Sequence, residues 1–185
     1  MDIKRLKDQI WTTRVSRINA ERRLINKEKF IQAINIYYSC VTIIFSILSI
    51  NNDDNQLSLI TTFMSICLLV TILYLNSQRY MEFARDFRTN YTSLQKLEML
   101  LDNEDILPQR IEEIQMEYCN LMDSACNHIQ YDYYCTVSQS SGDYRKQRWT
   151  RTVKWGFRWG KIWRATVVLA LIVLPLAVYY LCGVI

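Results

Sequence analysis

Three long stretches of this chain carry no charged side chain, and nothing else in it restricts the fold as severely. They are IQAINIYYSCVTIIFSILSI (31–50), LSLITTFMSICLLVTILYL (57–75) and ATVVLALIVLPLAVYYLCGVI (165–185). At a rise of about 1.5 Å per residue, a helix of roughly 20 residues crosses a hydrocarbon core of about 30 Å. Core helices of soluble proteins seldom stay uncharged for so long. Residues 31–75 are therefore expected to form a transmembrane hairpin, and residues 165–185 a third, C-terminal span.

The basic residues orient these spans. All 22 Lys and Arg fall in three blocks, nine in 4–29, five in 79–110 and eight in 145–164. The short stretch NNDDNQ (51–56) has none. Because Lys and Arg near span ends stay on the cytoplasmic side, the N-terminus and the central region are expected inside and the short loop outside. If the tail spans, Ile185 ends outside. A cleaved signal peptide is not expected, since a polar and charged arm precedes the first apolar run. The six cysteines fit a reducing compartment, with none disulfide-bonded.

Outside the spans the pattern is helical. No glycine occurs before Gly142 and the only early proline is Pro108. Residues 1–30 read as a basic cytoplasmic helix, weakly amphipathic through Trp11, Val15, Ile18 and Ile25, that runs into the first span. In 76–135, Phe83, Phe87, Tyr91, Leu94, Leu97 and Leu101 form one stripe, and Ile111, Ile114, Tyr118, Leu121, Ala125 and Ile129 form another. The turn DNEDILPQ between them puts Pro108 at a helix start, so the segment reads as a cytoplasmic antiparallel hairpin of two helices, about 23 and 27 residues long. Residues 136–164 read as a loop followed by a basic, aromatic interfacial helix. The fold class is an all-α integral membrane protein.

Reactive chemistry is scarce. With His128 as the sole histidine, histidine triads and multi-histidine metal sites are ruled out, and the glycines that phosphate loops need are missing. Cys119, Cys126, His128 and Cys135 lack structural zinc spacing, and Cys119 and Cys126 read as small apolar packing residues. Glu112 and Glu113, in an acidic stretch over 98–117, point apart on a helix and read as solvated. No catalytic residue, cofactor or metal is expected, and the chain does not read as an enzyme.

Two features point to function instead. Asn35, Ser39, Thr42, Ser46 and Ser49 step by four and three along one face of the first span, with Ile36, Val41, Ile43, Ile44, Ile47 and Leu48 opposite. Such a stripe either packs helices through small hydroxyls or lines a wet, weakly selective pore in an oligomer. The second is WGFRWGKIWR (155–164). Trp155, Trp159 and Trp163 share a helical face, Trp149 precedes them, and Arg158, Lys161 and Arg164 lie among them. Aromatic planes with positive charge also suit single-stranded nucleic acid. Beside an uncharged run they read as a collar at the headgroup level of anionic lipid, and direct nucleic-acid binding is not expected.

RRLINKEKFIQAINIYYSCVTIIFSIL, the tight polar turn and SQRYMEFARDFRTNYTSLQKLEMLL resemble the SLATT proteins, bacterial membrane effectors with a basic helix, two spans and a cytoplasmic helical extension. The likeness covers about residues 5–135 and is greatest to the fifth subfamily, which tends to be encoded beside reverse transcriptases. It implies an anti-phage effector of the bacterial inner membrane that oligomerises and breaks the barrier when a cytoplasmic sensor releases it. That sensor would be a reverse transcriptase with its RNA or a nucleotide-signalling enzyme. The alternative is a non-conducting scaffold that tethers such a partner. The hydrophobic tail departs from a two-span pattern.

Overall fold

The computed structural model describes residues 3–52, 55–102, 107–124, 127–140 and 148–183. Among these the regular elements are helices: α1 (Ile3–Asn52), α2 (Asn55–Asn76), α3 (Tyr80–Leu100), α4 (Pro108–Asp123), α5 (Gln130–Gln139) and α6 (Arg151–Gly183). The basic arm does run unbroken into the first apolar run. Three helices are long and apolar enough to cross a membrane. The expected NNDDNQ loop is shorter than its sequence suggests, since α1 reaches Asn52 and α2 begins at Asn55. The chain divides into two compact units, Met1–Asn26 with Tyr80–Gly160 and Lys27–Arg79 with Lys161–Ile185.

In the first unit the stripe of α3 packs against the N-terminal part of α1. Leu94, Leu97 and Leu101 cluster with Leu6, Ile10 and Ile114, and Ile111, Tyr118 and Leu121 close around them. A second cluster joins Ala20 and Leu24 to Ala84 and Phe87. The register of the α3 stripe differs slightly from expectation: Phe83 is exposed, while Ala84 and Asn90 take buried positions. The α1 segment is thus the centre of a bundle, and its buried face includes residues that hydropathy does not flag. Thr13, Ser16, Arg17, Asn19 and Glu21 are all buried.

Buried polar groups need partners, and here they find them across helices. Arg17 is fully buried. Its Nη1 donates to the Leu121 carbonyl at 3.1 Å and its Nη2 contacts Met122 Sδ at 3.5 Å. Asn90 Nδ2 donates to the same carbonyl at 2.8 Å. Leu121 lies in the last turn of α4, where carbonyls lack helical donors and the helix dipole is negative, so a cation there is stabilised without a carboxylate. Burial still pulls the Arg17 pKa down. Ser16 and Asn19 meet Thr136 at 3.0 and 3.1 Å, and Thr13 meets the Tyr118 hydroxyl at 3.0 Å.

Ion pairs tie the arm down further. Arg14 pairs with Glu98 at 2.7 Å, Glu21 with Arg88 at 2.7 Å, Asp8 with Arg148 at 2.7 Å and Arg23 with Asp132 at 2.9 Å. Glu98 is therefore a partner of α1 and not a solvated acid, whereas Glu112 and Glu113 are exposed as expected. The basic arm spends much of its charge inside its own unit.

The second hairpin helix is not the single 27-residue helix expected. It stops at Asp123, with the Ser124 N–H closing on the Asn120 carbonyl at 3.0 Å, and α5 starts afresh at Gln130. Asp132, in the first turn of α5, accepts the Ile129 N–H at 3.1 Å while also holding Arg23. The break is thus capped on both sides by side chains, three of which (Arg17, Asn90, Arg23) come from other helices. Helix α5 also extends to Gln139, so residues 136–139, expected in a loop, are helical. Pro108 does open α4. Ala125, Cys126 and 141–147 lie outside the described residues. Cys119, expected to pack, is exposed.

Helix α6 contains all of WGFRWGKIWR, so the aromatic segment and the third apolar run are one continuous helix. Its two glycines face α5. A Cβ on Gly156 would sit 2.2 Å from Tyr134 Cε2, and one on Gly160 would sit 2.3 Å from Tyr131 Cε2. Spaced four apart, they form a notch for two tyrosine rings, as small residues do where membrane helices pack. Phe157 stacks on Tyr131 at 6.3 Å and meets Trp149 edge-on at 6.0 Å.

Two outcomes test this packing. Gly156→Val should destabilise the protein in detergent by about 1–3 kcal/mol, the usual cost of overpacking. Tyr134→Ala should recover part of that loss by vacating the notch, and additive losses would place the clash elsewhere. His128 gives the second. Its Nδ1 is buried with no hydrogen-bond partner. Burial, aided by the Arg17 charge and opposed by Asp132, holds its pKa below the ordinary value. The folded state therefore resists protonation that the unfolded chain accepts near pH 6.5. Stability should fall as pH drops through about 6.5, and His128→Gln should flatten the fall between about pH 7.5 and 5.5 in thermal melts.

Candidate functional site

In the second unit the polar stripe of α1 is turned away from the surface. Ser49 is buried, while Asn35, Ser39, Thr42 and Ser46 are half-buried. On the other side Ile36, Ile43, Ile44 and Ile47 are exposed, between 54% and 66%, with Val41 and Leu48 half-buried. The asymmetry is the one expected if apolar side chains meet lipid and polar ones meet helices or water. Thr42 returns its hydroxyl to the Tyr38 carbonyl at 2.9 Å. Asn35 Oδ1 is buried and accepts no hydrogen bond. An amide oxygen left so in an apolar setting is costly, which makes Asn35 the least satisfied point of the stripe.

Helix α2 is bare by comparison. Thr61 is its buried residue, and Leu59, Phe63, Ile66, Leu69, Val70 and Leu73 are all more than half exposed. Its hydroxyls turn back on their own helix: Thr61 and Thr62 bond the Ser58 carbonyl at 2.9 and 3.0 Å, and Ser65 bonds the Thr61 carbonyl at 2.8 Å. That arrangement leaves α2 dressed for lipid on most sides.

The third long helix is held to the first by a backbone defect. Pro175 lies inside α6 and is buried. It has no N–H for the Leu171 carbonyl four residues back, so that acceptor loses its helical donor. Tyr38 supplies one, its hydroxyl donating to the Leu171 carbonyl at 2.8 Å. Tyr37 donates to the neighbouring Ile172 carbonyl at 2.9 Å. The two rings meet edge-on at 5.5 Å. In hydrocarbon, a proline-interrupted helix is tolerated when a neighbour satisfies the freed backbone, and here α1 does so. Tyr38 lies beside the polar stripe, three residues from Asn35 and four from Thr42.

Within α6 the aromatic and basic residues divide by face. Trp155, Trp159 and Trp163 are 71%, 59% and 62% exposed, and Arg158, Lys161 and Arg164 are exposed beside them. Trp149 does not share their setting, since it precedes α6 and is half-buried against Phe157. Gly156, Gly160 and the pairing of Tyr37 and Tyr38 with Pro175 are functional features that charge and hydropathy alone pass over. Both left signals: two glycines four apart in a helix, and a proline in an apolar run whose stranded carbonyl needs a donor.

Comparison with curated proteins and with solved structures finds no match. The model of the SMODS and SLOG-associating 2TM effector domain family 5 matches residues 1–181, nearly the whole chain. It takes in α6 as well as the two-span hairpin, so the chain belongs to this family of membrane effectors of defence systems, with a third long apolar helix inside the matched region.

Proposed function

We propose that this chain is an anti-phage effector of the bacterial inner membrane that, once released by a cytoplasmic sensor partner, oligomerises and opens a weakly selective pore, arresting the infected cell. It acts without catalysis or cofactor. The N-terminus and 76–164 lie in the cytoplasm, where the first unit receives the partner. The observation that carries the pore is the inward-turned stripe of Asn35, Ser39, Thr42, Ser46 and Ser49 with an unpaired amide oxygen at Asn35. Water is the acceptor's natural complement, and polar side chains at membrane depth are admissible where they line a wet path. Absence of a charged side chain from the stripe accounts for weak selectivity.

Membrane seating comes from α6. Exposed tryptophans sit at the headgroup level, and basic residues near the surface are drawn to anionic lipid by about 1 kcal/mol each. Changing Arg158, Lys161 and Arg164 to glutamine is expected to weaken association of the full chain with anionic vesicles more than with neutral ones; equal losses would count against the collar.

The pore itself is tested by changing Ser39, Thr42 and Ser46 together to leucine. Induced with its trigger, the wild type should depolarise cells, and the triple variant should insert equally well yet leak far less. Undiminished leakage would take the stripe out of the pore. A second reading, a non-conducting tether, draws on the exposed Met99, Leu107 and Met116 of the first unit as a partner surface. Purified protein that oligomerises but never conducts, even with partner and trigger, would favour it.

A further inference from the structure

We propose that Tyr37 and Tyr38 form a latch that holds the third span on the first and keeps the polar stripe of α1 shut, so that α6 is the gate of the pore; this rests on the pore reading above. Three observations converge on one place. Pro175 deprives the Leu171 carbonyl of its helical donor, and Tyr38 replaces it at 2.8 Å. Tyr37 adds a bond to the Ile172 carbonyl at 2.9 Å, so both hydroxyls are spent on α6 and on the same turn. Tyr38 lies beside the stripe, a turn from both Asn35 and Thr42, so α6 meets α1 at the edge of the stripe.

The chemistry makes this contact conditional on dryness. While the stripe is dry, moving α6 away would leave the Leu171 carbonyl and two hydroxyls unpaired in an apolar medium, which is strongly unfavourable. Once water reaches them, each can be satisfied by solvent and the contact loses most of its advantage. Departure of α6 and hydration of Asn35, Ser39 and Thr42 are therefore one event. A packing contact made only of leucines would have no such dependence, because it would weaken little when wetted at one end. An uninterrupted α6 would have none either, since its carbonyls would be served by its own backbone.

The test uses the full chain, purified in detergent for melting and reconstituted in vesicles for ion leak. With Pro175 in place, Tyr37→Phe with Tyr38→Phe should lower Tm by about 3–6 °C, the scale expected for two lost hydrogen bonds in a chain of this size. In a Pro175→Ala background the same pair should lower it by only about half as much, because the alanine returns an N–H to the Leu171 carbonyl while the Tyr37 bond is lost in either background. Leak without trigger should rise severalfold in the double-phenylalanine protein and stay low when Pro175→Ala is added. An equal fall in Tm in both backgrounds overturns the latch. Coupled melting with unchanged leak, in vesicles where triggered wild type conducts, overturns the gate. Protein that never conducts in any form removes the pore reading and the gate with it, while the melting data alone still decide whether the latch exists.

Discussion

A fully buried arginine must find something negative, and in the first unit it finds the end of a helix. Arg17 has no carboxylate partner among the described residues; its guanidinium rests on the Leu121 carbonyl and the Met122 sulfur. Much follows from that placement. Helix α4 stops at Asp123, two residues past the carbonyl that Arg17 holds. Asn90 of α3 adds a second donor to the same oxygen, so three helices are fixed at one point. One turn earlier Thr13 meets Tyr118, and one turn later Asn19 and Glu21 meet Thr136 and Arg88. Removing a single member of such a network leaves buried polar groups unpaired, and each costs about 1–3 kcal/mol.

The polar interior explains what sequence could and could not disclose. The spans were legible because hydrocarbon forbids charge, and the chain obeys that rule over each of its three apolar runs. The α3 stripe was legible because Phe87, Leu94, Leu97 and Leu101 are apolar where they are buried. The α1 arm was not, because its buried face reads Thr13, Ser16, Arg17, Asn19 and Glu21, and a hydropathy pattern assigns those to water. Part of its charge, at Arg14, Arg17 and Arg23, is turned to partners inside the unit. The α4–α5 break was invisible for a related reason. No glycine or proline marks residues 124–129, and the side chains that meet the end of α4, Arg17 and Asn90, come from α1 and α3.

In the candidate site the division is different. Spacing places the stripe residues on one face and Trp155, Trp159 and Trp163 on another, because a helical period is enough for that, whereas Trp149 lies before the helix and does not share their setting. What spacing could not give was the partner of each face. Gly156 and Gly160 show why: they matter through Tyr134 and Tyr131, over 20 residues upstream. Trp155 and Trp159, one position away from them, stay exposed because the glycine face takes the packing. The aromatic segment thus serves two purposes on two sides of one helix.

Beyond Gly160, α6 belongs to the second unit. A family described by two spans here extends over a helix that contains a proline, and that proline makes the helix dependent on its neighbour. An apolar helix with an intact backbone needs nothing from another helix except van der Waals contact, and lipid offers that equally well. Helix α6 needs a hydroxyl at Leu171, and lipid tails have none to give. Its residence beside α1 is therefore chemically specific in a way that α2, exposed on most of its length, is not.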